Sequence, residues 1–335
     1  MHVPIVATAG GGAMRVAQLG NSGVALSRIG LGGFELGPDD DKPPDVDRAR
    51  AAIAAAMTSG INWIDTSENY ISTTNESLIG AALDGGESEF LVSSKVAPEP
   101  AITGGGSGFR RDEVHAGCRD SLRRLGRDHL DVYFLHWPDE SGVPLEETWG
   151  AMAELVDQGL VRAIGLSNYE LADVERCHRQ RPVDVVQDGL SLIDYLEARA
   201  MFERCGELGI GVTVFEPLGS GILTGKTVNE LLALWTGPWV ESAFYKRLLG
   251  GGNAAHSFAV ADGLRPIAER HGATIAQVAI AWVLHQPGVT AAIAGSSNGR
   301  HIAANALAAE IDLTESLAEI DALIPLGPAF AAQRP

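Results

Sequence analysis

Apolar and polar positions in this chain follow two alternating periods. Short runs of consecutive apolar residues, rich in β-branched side chains, recur eight times, and longer segments with apolar residues at helical spacing lie between them. The short runs predict strands at 28–33, 61–65, 89–95, 130–136, 161–167, 183–187, 210–215 and 290–295. The longer segments predict helices at 46–58, 75–84, 111–125, 145–158, 170–180, 197–208, 257–271 and 274–285.

This alternation predicts a fold of the α/β class, a (β/α)8 or TIM barrel. Strands that are apolar on both faces are typical of a parallel sheet covered by helices. The alternative is an open, doubly wound sheet, which usually carries the glycine pattern GxGxxG after its first strand. The segment GLGGFELG at 31–38 does not have that spacing, so the barrel is favoured.

The pattern also predicts features around the barrel. Two apolar runs around Asn21-Ser22-Gly23 predict an N-terminal β-hairpin. We expect residues 1–14 to be a disordered tail and residues 15–335 to form a single domain. The glycine-rich stretches 104–108 and 250–252 follow the third and seventh strands, where barrels carry active-site loops, and we expect long mobile loops there.

The composition excludes several classes of partner. The 335 residues are 45% apolar, enough for a full core, and 43 acidic against 25 basic residues give a net charge of −18. This charge repels nucleic acid and anionic lipid, and no apolar run approaches the ~20 residues of a membrane span. The three cysteines lack disulfide or metal spacing, and the N-terminus lacks a signal pattern, so we expect a cytoplasmic protein without a metal site.

Four polar side chains follow three neighbouring predicted strands. The carboxyl ends of barrel strands meet at one mouth, where they would bring Asp65, Lys95 and His136 together, with Tyr70 shortly after Asp65. A lysine beside a carboxylate stays charged, and we expect the ammonium group to lower the pKa of the Tyr70 phenol from about 10. Such a phenol can protonate a carbonyl oxygen that gains negative charge, which is the partner step of a hydride transfer.

Each of these residues alone has an ordinary structural interpretation. Asp65 is well placed to cap a turn, a lysine at a strand end is often solvated, and His136 can satisfy a backbone group. Their joint position on consecutive strands favours the functional interpretation. A lyase that uses Lys95 as a Schiff base is a less favoured alternative, because Asp65 keeps the amine protonated.

A second group of residues follows the seventh and eighth strands, where barrels usually bind phosphate. The segment EPLGSGILTGKT (216–227) offers glycines and Lys226, and GSSNGRHIAAN (295–305) offers helix-capping residues and Arg300. The two cations would supply the local positive charge that an acidic protein needs to hold a phosphate. The first segment misses the spacing of a P-loop by one residue, so an ATPase is not predicted, and a plain turn is the alternative for either loop alone.

Longer segments are more specific than these single residues. They are GINWIDTSENY (60–70), VSSK (92–95), DSLRRLGRDHLDVYFLHWPD (120–139), GLVRAIGLSNY (159–169), FEPLGSGILTGK (215–226) and ATIAQVAIAWVL (273–284). Through them the chain strongly resembles the aldo-keto reductase family, from about Met14 to Leu323. The resemblance implies an enzyme, an NAD(P)H-dependent reductase of aldehydes or ketones, or a dehydrogenase of the corresponding alcohols or sugars. Tyr70 would be the general acid, Lys95 and Asp65 the pair that tunes it, and His136 the group that orients the carbonyl.

The same resemblance implies a set of cofactor-binding residues and favours NADP(H) over NAD(H). The nicotinamide would be held by Ser167, Asn168 and Gln187 and stacked on Phe215. The pyrophosphate would be lined by Leu218, Ser220, Gly221 and Lys226, and the adenosine phosphate would lie near Ser296, Arg300 and Asn305.

The sequence departs from the family pattern at several of these positions. Ile71 follows the expected catalytic tyrosine where glycine is common, and Glu216 stands where serine is common, close to the expected pyrophosphate. The arginine that usually holds a 2′-phosphate is not clearly matched, since Ser297 or His301 occupies its position, with Arg300 adjacent.

The substrate is expected to be a small carbonyl compound or alcohol. Candidate walls of its pocket are Phe34, Trp137, Trp235 and Trp239, which suggest a ring-bearing or apolar substrate, and the segment 227–258 is expected to set specificity. The alternative function is a cofactor-binding regulatory subunit without physiological turnover, like the potassium-channel β-subunits of this family.

Overall fold

The computed structural model describes residues 14–37, 44–71, 74–83, 89–98, 106–194, 196–234 and 253–324. The strands are β1 (Val16–Gln18), β2 (Ala25–Ser27), β3 (Ile29–Gly32), β4 (Trp63–Asp65), β5 (Leu91–Val96), β6 (Leu130–Leu135), β7 (Val161–Ser167), β8 (Val185–Gly189), β9 (Gly211–Phe215) and β10 (Ala291–Gly295). The helices are α1 (Val46–Thr58), α2 (Thr74–Ala82), α3 (Arg111–Leu125), α4 (Leu145–Asp157), α5 (Leu171–Gln180), α6 (Ala198–Glu207), α7 (Val228–Leu234), α8 (Asn253–Arg270), α9 (Ile275–Leu284), α10 (Gly299–Ala306) and α11 (Leu317–Asp321). Short 3-10 helices lie at Phe34–Leu36, Ile222–Thr224 and Leu307–Glu310.

Strands β3 to β10 form a closed barrel in which each strand pairs in parallel with the next. The ring closes where β10 pairs with β3, with Ile293 opposite Gly30 and Gly295 opposite Gly32. This closure confirms the predicted (β/α)8 barrel and excludes the open sheet. The predicted hairpin is also confirmed, since β1 and β2 pair antiparallel with Val16 opposite Ser27.

The core has two parts, one on each face of the barrel sheet. A large apolar cluster lies between the strands and the surrounding helices, and a smaller one fills the barrel interior. Leu19, Val24 and Leu26 of the hairpin region belong to the interior cluster, so the hairpin closes the end of the barrel opposite the carboxyl ends of the strands. Trp63 fills this interior so tightly that a Cβ on Gly30 would collide with its ring.

Helix α3 shows how local sequence produces these elements. Apolar residues at Val114, Cys118 and Leu122 follow helical spacing, and all are buried against the barrel. The Glu113 side chain accepts a hydrogen bond from the backbone N–H of Arg110 at 2.8 Å, which caps the start of the helix. The helix ends at Gly126, whose φ of 64° is left-handed and therefore suits glycine.

The boundaries of the elements differ modestly from the prediction. β8 runs to Gly189, two residues past the predicted end, because Asp188 and Gly189 pair with Val214 and Phe215 of β9. Helices α7 and α11 were not predicted, whereas α10 begins after Asn298, one of the residues expected to cap a helix there. Met14, the last residue of the expected tail, is buried, and residues 1–13 lie outside the described residues.

Parts of the expected mobile loops also lie outside the described residues, namely 99–105 and 235–252. The described end of the first loop is held in place, because Gly108 N–H donates to the carbonyl oxygen of Ala97 at 3.1 Å. Within the described part of the chain, no helix combines the length and apolar character needed to cross a bilayer.

Candidate active site

The carboxyl ends of β4, β5 and β6 place Asp65, Lys95 and His136 at one region of the barrel mouth. The parallel pairing of the strands aligns their carboxyl ends, so that Asp65 lies opposite Ser93 and Lys95 lies opposite Phe134. Lys95 Nζ lies 2.5 Å from Asp65 Oδ2 and 3.3 Å from the Tyr70 hydroxyl oxygen. The structure therefore brings together the four residues that the sequence singled out.

The three N–H groups of Lys95 all have acceptors. They donate to Asp65 Oδ2, to the backbone carbonyl of Thr66 at 2.8 Å and to the Tyr70 hydroxyl oxygen. Burial alone would lower the pKa of Lys95, but the charge of Asp65 and the contact with Tyr70 outweigh it, so the pKa of Lys95 is raised. Lys95 is therefore an ammonium group at neutral pH, which has no lone pair to accept the Tyr70 proton.

Asp65 is held from two further strands. Its Oδ1 accepts hydrogen bonds from Ser93 Oγ at 2.7 Å and from Gln187 Nε2 at 3.0 Å. Both carboxylate oxygens are thus engaged, and the residue is almost fully buried. Gln187, which the resemblance assigned to the cofactor, here also orients the partner of Lys95.

The expectation for the pKa of Tyr70 was wrong in sign. Burial raises the pKa of this phenol, Lys95 lowers it by a smaller amount, and Asp65 adds to the increase, so the net shift is upward. The sequence showed the cation beside the phenol but not the loss of solvent around both groups. Tyr70 is consequently neutral and carries its proton in this state of the protein.

His136 is buried and faces the same recess. Its ring centroid lies 5.7 Å from that of Tyr70 and 4.3 Å from that of Trp137. Burial first, and the charge of Lys95 second, hold the pKa of His136 well below its usual range. The imidazole is therefore neutral at physiological pH, and its Nδ1 lies 3.0 Å from Ser67 Oγ.

Two of the predicted aromatic walls flank these residues. The Phe34 ring packs edge-on against Tyr70 with centroids 5.3 Å apart, and it is 49% exposed, which leaves an open apolar face at the mouth. Trp137 lies against His136. The other two walls, Trp235 and Trp239, lie outside the described residues.

The residues assigned to the nicotinamide form a continuous strip across β7, β8 and β9. Asn168 has a left-handed φ of 64°, and its Nδ2 donates to the carbonyl oxygen of His136 at 2.9 Å and to Ser167 Oγ at 3.1 Å. Its backbone N–H donates to the carbonyl oxygen of Gln187 at 3.2 Å. Phe215 is the last residue of the neighbouring strand β9, where it pairs with Gly189 of β8 and is partly exposed.

The loop after β9 contains a run of left-handed residues that includes two non-glycines. The φ angles are 56° at Glu216, 51° at Gly219, 52° at Ser220 and 90° at Gly221. Glu216 Oε2 accepts a hydrogen bond from Ser220 N at 2.6 Å. An amide expected to meet the pyrophosphate is thus already bound to a carboxylate, while Leu218 is partly buried beside it.

The two cations near these loops differ in their surroundings. Lys226 is partly exposed, and its Nζ donates to Thr224 Oγ1 at 3.4 Å. Arg300 is exposed on α10, where its backbone N–H donates to the capping side chain of Asn298 at 2.9 Å. Ser296 Oγ accepts from Asn298 N at 3.1 Å. Asn305 is buried at the far end of the same helix.

Glu35 is a mouth residue that the sequence reasoning missed. Glu35 as a whole residue is exposed, but its carboxylate packs directly against Gly295. A side chain at position 295 would collide with this carboxylate. Burial of the carboxyl group, and secondly the charge of Glu216, raise the pKa of Glu35 to about 7. Its position directly after Phe34, at the end of the first barrel strand, is the signal that could have identified it.

Glu68, also missed, supports the Tyr70 loop from behind. Its Oε1 accepts hydrogen bonds from the backbone N–H groups of Ala97 and Ser107, both at 2.9 Å, and its Oε2 accepts from Ser107 Oγ at 2.6 Å. The buried carboxylate thereby joins the segment that carries Tyr70 to the loop after β5.

Among the described residues, no group of three or more His, Cys, Asp or Glu side chains is arranged to hold a metal ion.

Comparisons with known proteins show which sequences and structures this chain is similar to. A family model described as the aldo/keto reductase family matches residues 28–325. The probable aldo-keto reductase 1 of Glycine max is 30% identical over 318 residues, which cover 92% of this chain and 89% of that protein. The glycerol dehydrogenase AKR11B4 from Gluconobacter oxydans has a similar structure, with a TM-score of 0.81, 25% identity and coverage of 95% of this chain and 99% of that one. The thermostable aldo-keto reductase Tm1743, solved with the inhibitor epalrestat, gives a TM-score of 0.70 at 29% identity, covering 92% and 99% of the two chains.

Proposed function

The chain belongs to the aldo/keto reductase family, and from this premise we propose that Tyr70 is the general acid of a hydride transfer between a nicotinamide and an aldehyde or ketone. Membership makes the protein an NAD(P)-dependent oxidoreductase that acts on small carbonyl or alcohol compounds. In the reverse direction the substrate is the corresponding alcohol or sugar.

The observation that carries the proposal is the set of hydrogen bonds around Lys95. Because the ammonium group donates to the Tyr70 oxygen, the phenolic hydrogen is directed away from Lys95, toward the recess bordered by Phe34 and His136. A carbonyl oxygen in that recess would accept this hydrogen. The neighbouring ammonium charge then stabilises the phenolate that remains.

The bound nicotinamide would supply the hydride, which brings both electrons to the carbonyl carbon. Tyr70 supplies the proton: its O–H bond breaks, and a new O–H bond forms on the substrate oxygen, so that hydride plus proton convert the carbonyl to an alcohol. Asp65 keeps Lys95 charged during this step, and His136 borders the same substrate oxygen. The phenolate regains a proton from solvent before the next turnover.

The residues present fit such a cofactor. The loop after β9 turns through left-handed residues, and a Cβ at Gly221 would meet only Leu231 among the described residues. The N–H groups of Gly219, Ser220 and Gly221 now donate within the loop and would exchange these contacts for phosphate oxygens. Ser167, Asn168 and Gln187 would hold the carboxamide, with Phe215 against the ring. Leu218, Ser220, Gly221 and Lys226 would line the pyrophosphate.

We expect NADP(H) to bind more tightly than NAD(H), because exposed Arg300 follows the β10 loop near Ser296 and Asn305. Phe34 and Trp137 would border the substrate, which favours carbonyl compounds with a ring or an apolar chain. One structural relative is described as a glycerol dehydrogenase, so small polyols belong in the same substrate screen.

Substitution of Tyr70 by Phe tests the proposal. We expect turnover, followed by nicotinamide absorbance over a panel of carbonyls and alcohols, to fall by about 10²- to 10⁴-fold. Cofactor affinity should be retained. Tyr133→Phe removes another buried phenolic hydroxyl, outside the site, and should keep wild-type turnover. Full turnover of Tyr70→Phe would refute the assignment, whereas tight cofactor binding without turnover of any substrate by the wild type would favour the regulatory subunit.

A further inference from the structure

The turn that carries Phe34, residues 33–37, is linked at its first residue to the segment that carries Tyr70. The Gly33 carbonyl oxygen accepts a hydrogen bond from Asn75 Nδ2 at 2.9 Å. A carbonyl oxygen has no proton to donate, so this contact places the NH₂ end of the Asn75 amide toward the turn. Asn75 is fully buried. The start of the Phe34 turn is therefore held by a side chain that lies five residues after Tyr70.

The other end of the Asn75 amide contacts the chain beside Lys95. Asn75 Oδ1 accepts a hydrogen bond from Thr66 Oγ1 at 2.6 Å, and the backbone carbonyl oxygen of Thr66 accepts one from Lys95 Nζ at 2.8 Å. Thr66 is also fully buried, so water does not compete for these contacts. Asn75 therefore joins the Phe34 turn to the hydrogen bonds that hold Lys95 and, through it, the Tyr70 hydroxyl group.

Ile71 links the last residue of the turn to the same segment. Its side chain packs directly against Gly37, so that a Cβ at position 37 would collide with Ile71 Cδ1. Gly37 has a φ of −58°, which any residue adopts. Lack of space, and not backbone geometry, therefore requires glycine at this position.

The backbone of Ile71 shows that this contact has a cost. Its φ of 51° is left-handed, which is unfavourable for a β-branched residue and persists only where surrounding contacts determine it. Glycine, which is common here in the family pattern, would adopt this φ freely but would leave Gly37 without the contact. The isoleucine side chain thus contributes a link to the Phe34 turn that a glycine cannot make.

The position of the Phe34 ring depends on this turn. The ring is exposed on one side and packs edge-on against Tyr70 on the other. An exposed aromatic side chain on an unrestrained turn loses motion when a ligand binds, and this loss weakens binding. When the turn is already held at both ends, less motion is left to be lost.

We propose that Ile71 and Asn75 are positioning residues that hold Phe34 at a fixed distance from the Tyr70 hydroxyl group and thereby favour carbonyl compounds with a ring. The ring would lie against the exposed face of Phe34 while the carbonyl oxygen accepts the Tyr70 proton. A compact carbonyl compound gains little from this wall. The preference for a ring rests on the proposed function, whereas the link between the turn and the Tyr70 segment does not.

The link can be measured in the free protein without turnover. Edge-on contact with Tyr70 displaces the NMR signals of the Phe34 ring through the ring current of the phenol. In protein labelled with ¹³C-phenylalanine, these signals are identified by their loss in Phe34→Leu. We expect them to move toward the position of an exposed phenylalanine in Ile71→Gly and in Asn75→Ala. Ile71→Gly should fold, because glycine adopts a left-handed φ without strain. Unchanged Phe34 signals in either folded variant would refute the role of that residue.

Asn62→Ala is the matched control for Asn75→Ala. The Asn62 amide also makes a pair of contacts, since it accepts a hydrogen bond from Ser27 N at 2.8 Å and donates one to the Ala25 carbonyl oxygen at 3.0 Å, near the other end of the barrel. Its loss should leave the Phe34 signals in place. A displacement as large as that in Asn75→Ala would indicate a general loss of packing and would contradict the proposal.

A double-mutant cycle isolates the contact between Ile71 and Gly37. Gly37→Ala pushes aside the flexible end of the Ile71 side chain, so it should displace the Phe34 signals about as far as Ile71→Gly does. The double variant should show no larger displacement than either single variant, because the contact is lost only once. Additive displacements would mean that the two residues act independently and would overturn the assigned contact. Gly150→Ala is the control, since its Cβ would meet only Gln180 Nε2, at 3.6 Å, among the described residues.

Steady-state kinetics test the preference for a ring. We expect Ile71→Gly to raise KM for benzaldehyde by about three- to tenfold, because Phe34 regains motion that binding must remove, while kcat stays within about twofold. KM for glyceraldehyde, which has no ring, should be unchanged in the same variant. An equal increase for both substrates would indicate a general disturbance of the site and would contradict the proposal. If Tyr70→Phe retained full turnover, the proposed function would fail while the NMR result on Phe34 stood.

Discussion

Around the ends of β4 and β5, the buried charges of Lys95 and Asp65 are paired with each other, whereas around β9 and β10 two carboxylates lie close together beside loops expected to hold an anion. Lys95 and Asp65 satisfy each other and their neighbours. Glu216 instead binds the Ser220 amide, and Glu35 lies against Gly295. Under the proposed function, the first region has its hydrogen bonds in place before any ligand binds, while the second would exchange internal contacts to accept a phosphate.

This difference separates the catalytic step from cofactor binding. Changes around Lys95 should affect rate and stability together, because that region has no solvent to compensate a lost partner. Changes around Glu216 and Glu35 should affect cofactor affinity and its dependence on pH, with little effect on folding. The following substitutions test this separation.

The largest effect is expected for Lys95→Met. It leaves the buried Asp65 carboxylate without its cation, which should lower the free energy of unfolding by about 3–5 kcal/mol. Turnover should fall by about 10²- to 10⁴-fold, because Tyr70 loses the charge that stabilises its phenolate. Urea unfolding and steady-state kinetics measure the two effects. Lys226→Met is the control in the other region, and equal destabilisation by both substitutions would contradict the comparison.

Glu216→Ser should strengthen cofactor binding by about tenfold. The substitution removes a carboxylate and releases the Ser220 N–H that it now occupies at 2.6 Å, so that an incoming phosphate meets a free donor and less negative charge. Calorimetric titration with NADPH measures the affinity. Weaker binding in this variant would show that Glu216 organises the loop for the cofactor and does not compete with it.

Cofactor affinity should fall as the pH rises through about 7. Below this value Glu35 is mostly protonated and neutral, and above it the residue becomes an anion near the cofactor path. Glu216 and Tyr70 also lie close to Glu35. The Glu216 carboxyl group is a second acid near the cofactor path, so its negative charge adds to the same decrease in cofactor affinity. We expect a decrease of about three- to fivefold between pH 6 and 8, within the limit set by the uptake of one proton on binding.

The pH dependence has a direct control. Glu35→Gln should remove most of the slope, whereas Glu269→Gln, an exposed acid near the C-terminal end of α8, should leave it unchanged. Titration in buffers of different ionisation enthalpy would detect the proton taken up on binding by the wild type. A slope that persists in Glu35→Gln would assign the titration to another group.

The smallest effect is expected for Arg300→Gln. Because Arg300 is exposed, its attraction for a 2′-phosphate is screened by solvent, and we expect a loss of about threefold in the preference for NADPH over NADH. Affinities for both cofactors measure it, and the difference should shrink as salt concentration increases. Equal weakening of both cofactors would place Arg300 elsewhere on the dinucleotide.

The sequence by itself determined the barrel, its hairpin and the four residues at the mouth. Hydrophobic periodicity reports which face of each segment is buried, and the end of each strand is a local feature, so Asp65, Lys95 and His136 could be assigned to one edge of the sheet. The end of β8 shifted because pairing with β9, a neighbour in space, extended it to Gly189.

Only the tertiary structure decided the electrostatics of the site. The pKa of Tyr70 rises because burial outweighs Lys95, and burial depends on segments far apart in the chain. The same holds for Glu35, whose carboxylate meets Gly295 only because the last strand closes the barrel onto the first. Local patterns specify elements, but desolvation and charge pairing depend on which surfaces those elements bring together.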